Sequence, residues 1–231
     1  MSERSVRIAR RFHGPPDSGN GGYVAGLVAR ALGDVGCTVT LHQPPPLDRA
    51  LDLRISPTGA ELFEGERLIA SAVPAELELD VPAPPDFESA RAAQDRFVGH
   101  YRHRFPSCFV CGPERAPGEG LAIYAGELDG RVAATWTPAA DLALPDGTVR
   151  SEFLWAALDC PGYFAVEEAA GLALLGRMTA ILDRTARAGE PLIVTGWAIE
   201  SLGRKHHVGT ALHDRAGRLV GRARSTWITV A

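Results

Sequence analysis

Two short stretches of the chain carry residue types that could do chemistry together. The first is Asn20-Gly21-Gly22, directly ahead of an apolar run. Backbone N–H groups in the first turn of a helix have no partner inside the helix and carry partial positive charge. They can therefore hold an anion or a developing oxyanion, and glycine lets another group approach them closely. The plainer reading is a loop that ends in an Asn20 helix cap. The second stretch is Asp159, which follows six apolar residues from Phe153 to Leu158. Burial there would raise its carboxyl pKa and suit it to general-base work. The alternative is a helix-end residue beside Pro161 with no chemical part.

Other clusters compete for attention. Cys108-Phe109-Val110-Cys111-Gly112, with His100 and His103 upstream, offers two ligand pairs of zinc type. Zinc modules usually separate their pairs by a dozen or so residues, whereas four residues lie between His103 and Cys108. The reading is structural cysteines and no metal. A redox pair lacks the surrounding βαβ pattern. Arg150 could meet a phosphate or carboxylate. Glu152 sits in a first helical turn, where the dipole favours an acid. Arg204 and Lys205, ahead of His206-His207, could attract anionic groups from a hairpin turn. Tyr23 and Trp155, on the two apolar runs, complete the binding candidates, although tryptophans are more often core. No Gly-x-Ser-x-Gly elbow, P-loop or dinucleotide fingerprint is present.

The elements that must position these residues follow from periodicity. Gly21 to Leu32 places Tyr23, Val24, Leu27, Val28, Ala31 and Leu32 at helical spacing, with no charge between Asp17 and Arg30. Such a helix is buried nearly all round. Strands are expected at Val6–Phe12, Thr38–Gln43, Ala50–Ser56 and Leu68–Leu79. After a Pro-rich stretch, a hairpin is expected from Leu121–Ala125 and Arg131–Thr137 about Asp129-Gly130. A second apolar helix runs over Ser151–Leu158. Strands follow at Leu172–Asp183, Leu192–Leu202, His206–Asp214 and Arg218–Val230, rich in Val, Ile, Thr and Trp. The order strand, buried helix, antiparallel strands occurs twice, as in a degenerate duplication. The fold class is α+β: residues 1–82, a linker over 83–99, and residues 100–231.

The 231 residues are 45% hydrophobic and 23% charged, with a formal net charge of −4. That balance speaks against a nucleic-acid partner or an anionic membrane surface. No run of about 18 apolar residues exists, and the charged start of the chain lacks a signal-type core. Four cysteines in this length suit a reducing compartment, so a cytoplasmic location is expected.

With these elements in place the chain resembles the hotdog-fold acyl-CoA thioesterases, particularly the phenylacetate-pathway type. Their motif is Gly-x-Val-His-Gly-Gly, six residues, then Asp, across the start of the buried helix. Here Gly147-Thr148-Val149-Arg150-Ser151-Glu152 precedes Phe153 to Asp159, which keeps the acid but not His-Gly-Gly. In the first half Asn20-Gly21-Gly22 keeps the glycine pair, and the register puts Ala29 where the acid should be. The resemblance implies a double hotdog, each half a sheet around one long buried helix, with a site shared between halves. It implies that Gly21 and Gly22 receive the oxyanion, Asn20 orients the carbonyl, and Asp159 activates the nucleophile. The substrate implied is an acyl-CoA, with no cofactor beyond that CoA, and the double hotdogs could pair as a homodimer. Two alternatives come with the fold: an acyl-CoA hydratase or dehydratase, for which His13 and Asp17 are the only acid–histidine candidates, and a non-catalytic acyl-thioester binding protein.

Overall fold

The computed structural model describes residues 2–33 and 35–230. The first half consists of β1 (Ser2–Arg7), α1 (Gly21–Ala29), β2 (Cys37–Leu41), β3 (Ala50–Ser56), β4 (Gly59–Glu64) and β5 (Arg67–Pro74). A short α2 (Phe87–Ala93) then leads to β6 (Gly126–Leu128) and β7 (Arg131–Trp136). Three short helices follow, α3 (Ser151–Ala157), α4 (Cys160–Phe164) and α5 (Glu167–Ala170). The chain closes with β8 (Ala173–Leu182), β9 (Leu192–Leu202), β10 (Lys205–Asp214) and β11 (Leu219–Thr229).

Among the described residues the strands form one eleven-stranded sheet, in the order β1-β3-β4-β5-β2-β8-β11-β10-β9-β7-β6. Every pairing in it is antiparallel. The halves meet where β2 pairs with β8, Thr38 opposite Thr179, their hydroxyls 2.8 Å apart. Each half curls its part of the sheet over its own helix, and the two helices pack on one another inside.

The first helix is as apolar as its sequence demands. Every residue from Gly22 to Ala29 is buried. Asn20 caps it, its side-chain oxygen accepting from the Tyr23 N–H at 2.9 Å. Gly22 and Gly26, one turn apart, form the face that meets α3. A Cβ at Gly26 would lie 2.6 Å from Glu152 Cα, and one at Gly22 would lie 2.8 Å from the Trp155 carbonyl oxygen. These two glycines therefore set the interhelical distance.

The second buried helix lies where the residues put it, Ser151–Ala157 against the expected Ser151–Leu158, and is shorter than the long helix that the resemblance implies. Pro161 has no N–H to continue a helix, and the path breaks into α3 and α4 around Asp159. The carbonyl of Leu158, freed by the break, is taken up by the Thr210 hydroxyl at 2.7 Å.

Other boundaries differ from the sequence reading for identifiable reasons. The first strand lies at Ser2–Arg7, and Arg10–Phe12 winds into a 3-10 turn. Leu121–Ala125 is not a strand; its backbone bonds to Phe109 and Val110, and the hairpin partner of β7 is Gly126–Leu128. The turn itself is as expected, with Asp129 and Gly130 both at positive φ. β4 was not expected, since Ala60 and Leu62 are its only buried apolar residues. β5 stops at Pro74 instead of reaching Leu79. Within the stretch 83–99, Gln94 binds the backbone N–H of Thr135 on β7 at 2.9 Å.

Candidate functional site

Asp159 sits at the helix break, 1% exposed, directly against the mouth of α1. Its Oδ2 accepts from the Gly22 N–H at 2.9 Å and from Asn20 Nδ2 at 3.1 Å. Its Oδ1 is buried without a hydrogen-bond partner. Burial pushes the carboxyl pKa up to about 7 against the two donors, and charge at Cys108 pushes the same way. The two half-motifs, 137 residues apart in sequence, thus meet in one place.

The contact is so close that only glycine fits. A Cβ on Gly22 would lie 2.4 Å from Asp159 Cβ. It also changes the parts expected of the pair. The Gly22 N–H is occupied by the carboxylate, so it holds the acid. The Gly21 N–H, one position earlier, forms no hydrogen bond among the described residues and remains for an incoming oxygen. Asn20 uses both ends of its amide, the oxygen to cap α1 and the nitrogen to hold Asp159.

Asn20, Gly21 and Asp159 line a cavity of about 350 Å³. Its walls come from both halves: loop 14–20 and the end of β2 on one side, the start of β8, the end of β11 and Cys160 on the other. Leu41, Leu175, Tyr163, Trp227 and Ile228 make it largely apolar. Arg104 and His42 stand exposed in its wall. This volume lies at the small end of ligand pockets, and an apolar cleft with a few converging polar groups is the usual form of a binding site.

The remaining expected residues are elsewhere. Tyr23 is core, stacked on Phe12 with ring centroids 4.3 Å apart, and burial pushes its hydroxyl pKa up to about 12. Trp155 is buried against Gly22 and Gly26. Glu152, 2% exposed, is bound by Arg30 Nη1 at 2.9 and 3.1 Å. Arg150 lies over the Phe153 ring at 4.7 Å and 3.8 Å from Glu152. Arg204 and Lys205 are exposed at the β9–β10 turn and do not line the cavity. His13 and Asp17 form no pair: the Asp17 side chain is 96% exposed beside Arg10.

The pseudo-symmetric counterpart of the site explains these placements. At the mouth of α3, Glu152 replaces the glycine and Ala29 replaces the acid. The Arg30–Glu152 ion pair crosses between the helices there, beside a space of only about 20 Å³ lined by Ala29, Arg30, Ser151 and Trp155. One of two equivalent positions is open and the other is closed.

The sequence reading overlooked Cys160. Its sulfur lies 3.8 Å from that of Cys108, and the thiols of Cys108, Cys111 and Cys160 all fall within 4.8 Å of one another in the cavity wall. The signal was the Cys-x-x-Cys pair itself, but its third member comes from α4, not from His100 or His103. His100 is exposed, and His103 Nδ1 accepts from the Phe105 N–H at 3.0 Å.

Two sheet segments, each wrapped over a buried helix and joined edge to edge, define the double-hotdog fold. Solved structures of the same shape cover the whole chain. Two proteins named as putative thioesterases are similar to it. The one from Novosphingobium aromaticivorans DSM 12444 has TM-score 0.66 and 12% identity, over 100% of this chain and 96% of that one. The one from Thermobifida fusca YX has TM-score 0.61 and 16% identity, over 100% and 93%. The tesB protein of Mycobacterium avium subs paratuberculosis has TM-score 0.64 and 15% identity, over 99% and 93%. No protein-family model matches the sequence, and no curated protein does. At such identities the likeness is one of fold.

Proposed function

We propose that the chain is an acyl-CoA thioesterase whose single working site is the Asp159 cavity. The observation that carries the reading is the buried carboxylate with one oxygen held by the α1 mouth and the other unpartnered, in the wall of an apolar cavity. The similarity in fold to proteins named thioesterases supports it. The acyl group enters along Leu175, Trp227 and Ile228, and Arg104 at the rim meets the anionic CoA portion, the part expected of Arg204 and Lys205.

Asp159 Oδ1 takes a proton from water, whose oxygen attacks the thioester carbon. The oxyanion forms at the Gly21 N–H, where an unpaired amide at a helix start is worth roughly 10²–10³ in rate. Collapse breaks the carbon–sulfur bond. The proton from Asp159 goes to the departing sulfur, giving one carboxylic acid and one thiol per water consumed. General-base help of this kind contributes about 10²–10⁴.

The test is a thiol-release screen over short, long and aromatic acyl-CoAs with product analysis. Release of CoA with equimolar acid is expected from at least one class. Binding without release would make the chain a carrier, and addition of water with the thioester intact would make it a hydratase. Either result overturns the proposal.

A further inference from the structure

We propose that Cys108, Cys111 and Cys160 form a three-thiolate binding site for a Zn²⁺ ion, its fourth position open to the cavity. Tetrahedral zinc with Zn–S bonds of about 2.3 Å spaces its sulfurs about 3.8 Å apart. The Cys108–Cys160 separation is 3.8 Å, and no pair of the three exceeds 4.8 Å. All three residues are at least 95% buried, and none is in a disulfide. Three buried thiols converging within 4.8 Å of one another give a thiophilic ion the donors it needs.

One side-chain donor faces the cluster. Asn20 Nδ2, one of whose two hydrogens goes to Asp159, lies 3.9 Å from the Cys108 sulfur and 3.8 Å from that of Cys160, so its second hydrogen faces the pair. The turn carrying the first two ligands is tight. The Gly112 N–H donates to the Cys108 carbonyl at 2.9 Å, and a Cβ at Gly112 would lie 2.5–2.6 Å from three backbone atoms. Binding displaces the thiol protons to solvent, three at most, with no redox change. The ion would tie the 105–112 loop to α4 and so fix Asp159, the neighbour of Cys160. The ion's presence does not depend on thioester hydrolysis, and metal content reads it out without turnover.

The experiment uses the full chain, untagged, purified under reductant from zinc-supplemented cells. Metal content is measured by mass spectrometry, and the ion is then exchanged for Co²⁺. One zinc per chain is expected, and the cobalt form should show thiolate charge-transfer and the intense visible bands of a tetrahedral site. Cys108→Ser, Cys111→Ser and Cys160→Ala should each lose the ion, and Cys37→Ser should keep it, with circular dichroism checking that each variant folds. A wild-type chain that takes up neither zinc nor cobalt overturns the site whatever the variants do. So does an ion that survives Cys160→Ala.

Discussion

Replacing Gly22 by Ala perturbs the site through its narrowest contact. The new Cβ would stand 2.4 Å from Asp159 Cβ and 2.8 Å from the Trp155 carbonyl oxygen, where ordinary contact begins near 3.4 Å. Neither neighbour is the loose end of a flexible side chain, so α1 and the Asp159 segment must separate by about 1 Å. Overpacking of this kind costs about 1–3 kcal/mol, and the rigid neighbours put Gly22→Ala at the upper end. For a chain of this size that lowers the melting midpoint by about 6–12 °C. The same displacement stretches the Gly22 N–H bond to Asp159, and a misplacement near 1 Å costs on the order of 100-fold in rate. Urea unfolding gives the first quantity and thiol release at sub-saturating acyl-CoA gives the second. A variant with wild-type stability, or one that is less stable yet fully active, would refute the coupling of helix packing to the acid.

The closed counterpart site predicts an asymmetry. Arg30→Ala leaves the buried Glu152 carboxylate with only Arg150, 3.8 Å away and without a hydrogen bond to it, and should cost about 3 kcal/mol, whereas Glu152→Gln leaves a half-exposed Arg30 that water can serve and should cost about 1 kcal/mol. Equal losses in urea unfolding would contradict this. Thr210→Val orphans the Leu158 carbonyl at the helix break and should cost about 1–3 kcal/mol by the same assay; no change would mean the break needs no such partner. Burial lowers the pKa of His213, so the unfolded chain binds a proton that the folded chain refuses. That contribution is lost as pH falls below the ordinary histidine value of about 6.5. Stability should therefore drop less between pH 7.5 and 5.5 in His213→Gln than in the parent, and parallel curves would sink the assignment.

What could be read in the residues was what local chemistry determines. The uncharged run Gly21–Ala29 cannot face water, and it is the buried helix. Asp129-Gly130 demands a turn with two positive φ values, and it has one. The closing strands follow from their β-branched and aromatic content. Missed were features set by contact between distant segments. β4 buries two small-signal residues and owes its strand form to its neighbours β3 and β5. The break at Asp159 is foreshadowed by Pro161, but the direction of the acid depends on α1. Tyr23 and Trp155 looked like ligand platforms because aromatic residues on a helix carry no mark of which side is cavity. Glu152 could not be seen as a plug without Arg30, 122 residues away, and Cys160 belonged to no recognisable spacing.

In the proposed reaction the Asp159 carboxylate is the group that activates water. Asp159→Asn keeps the shape and an oxygen for the Gly22 N–H, and it removes the base. Turnover of an acyl-CoA that the parent hydrolyses is the decisive measurement. A fall of about 10²–10⁴ in kcat is expected, with the folded structure retained. Undiminished thiol release by Asp159→Asn would contradict it.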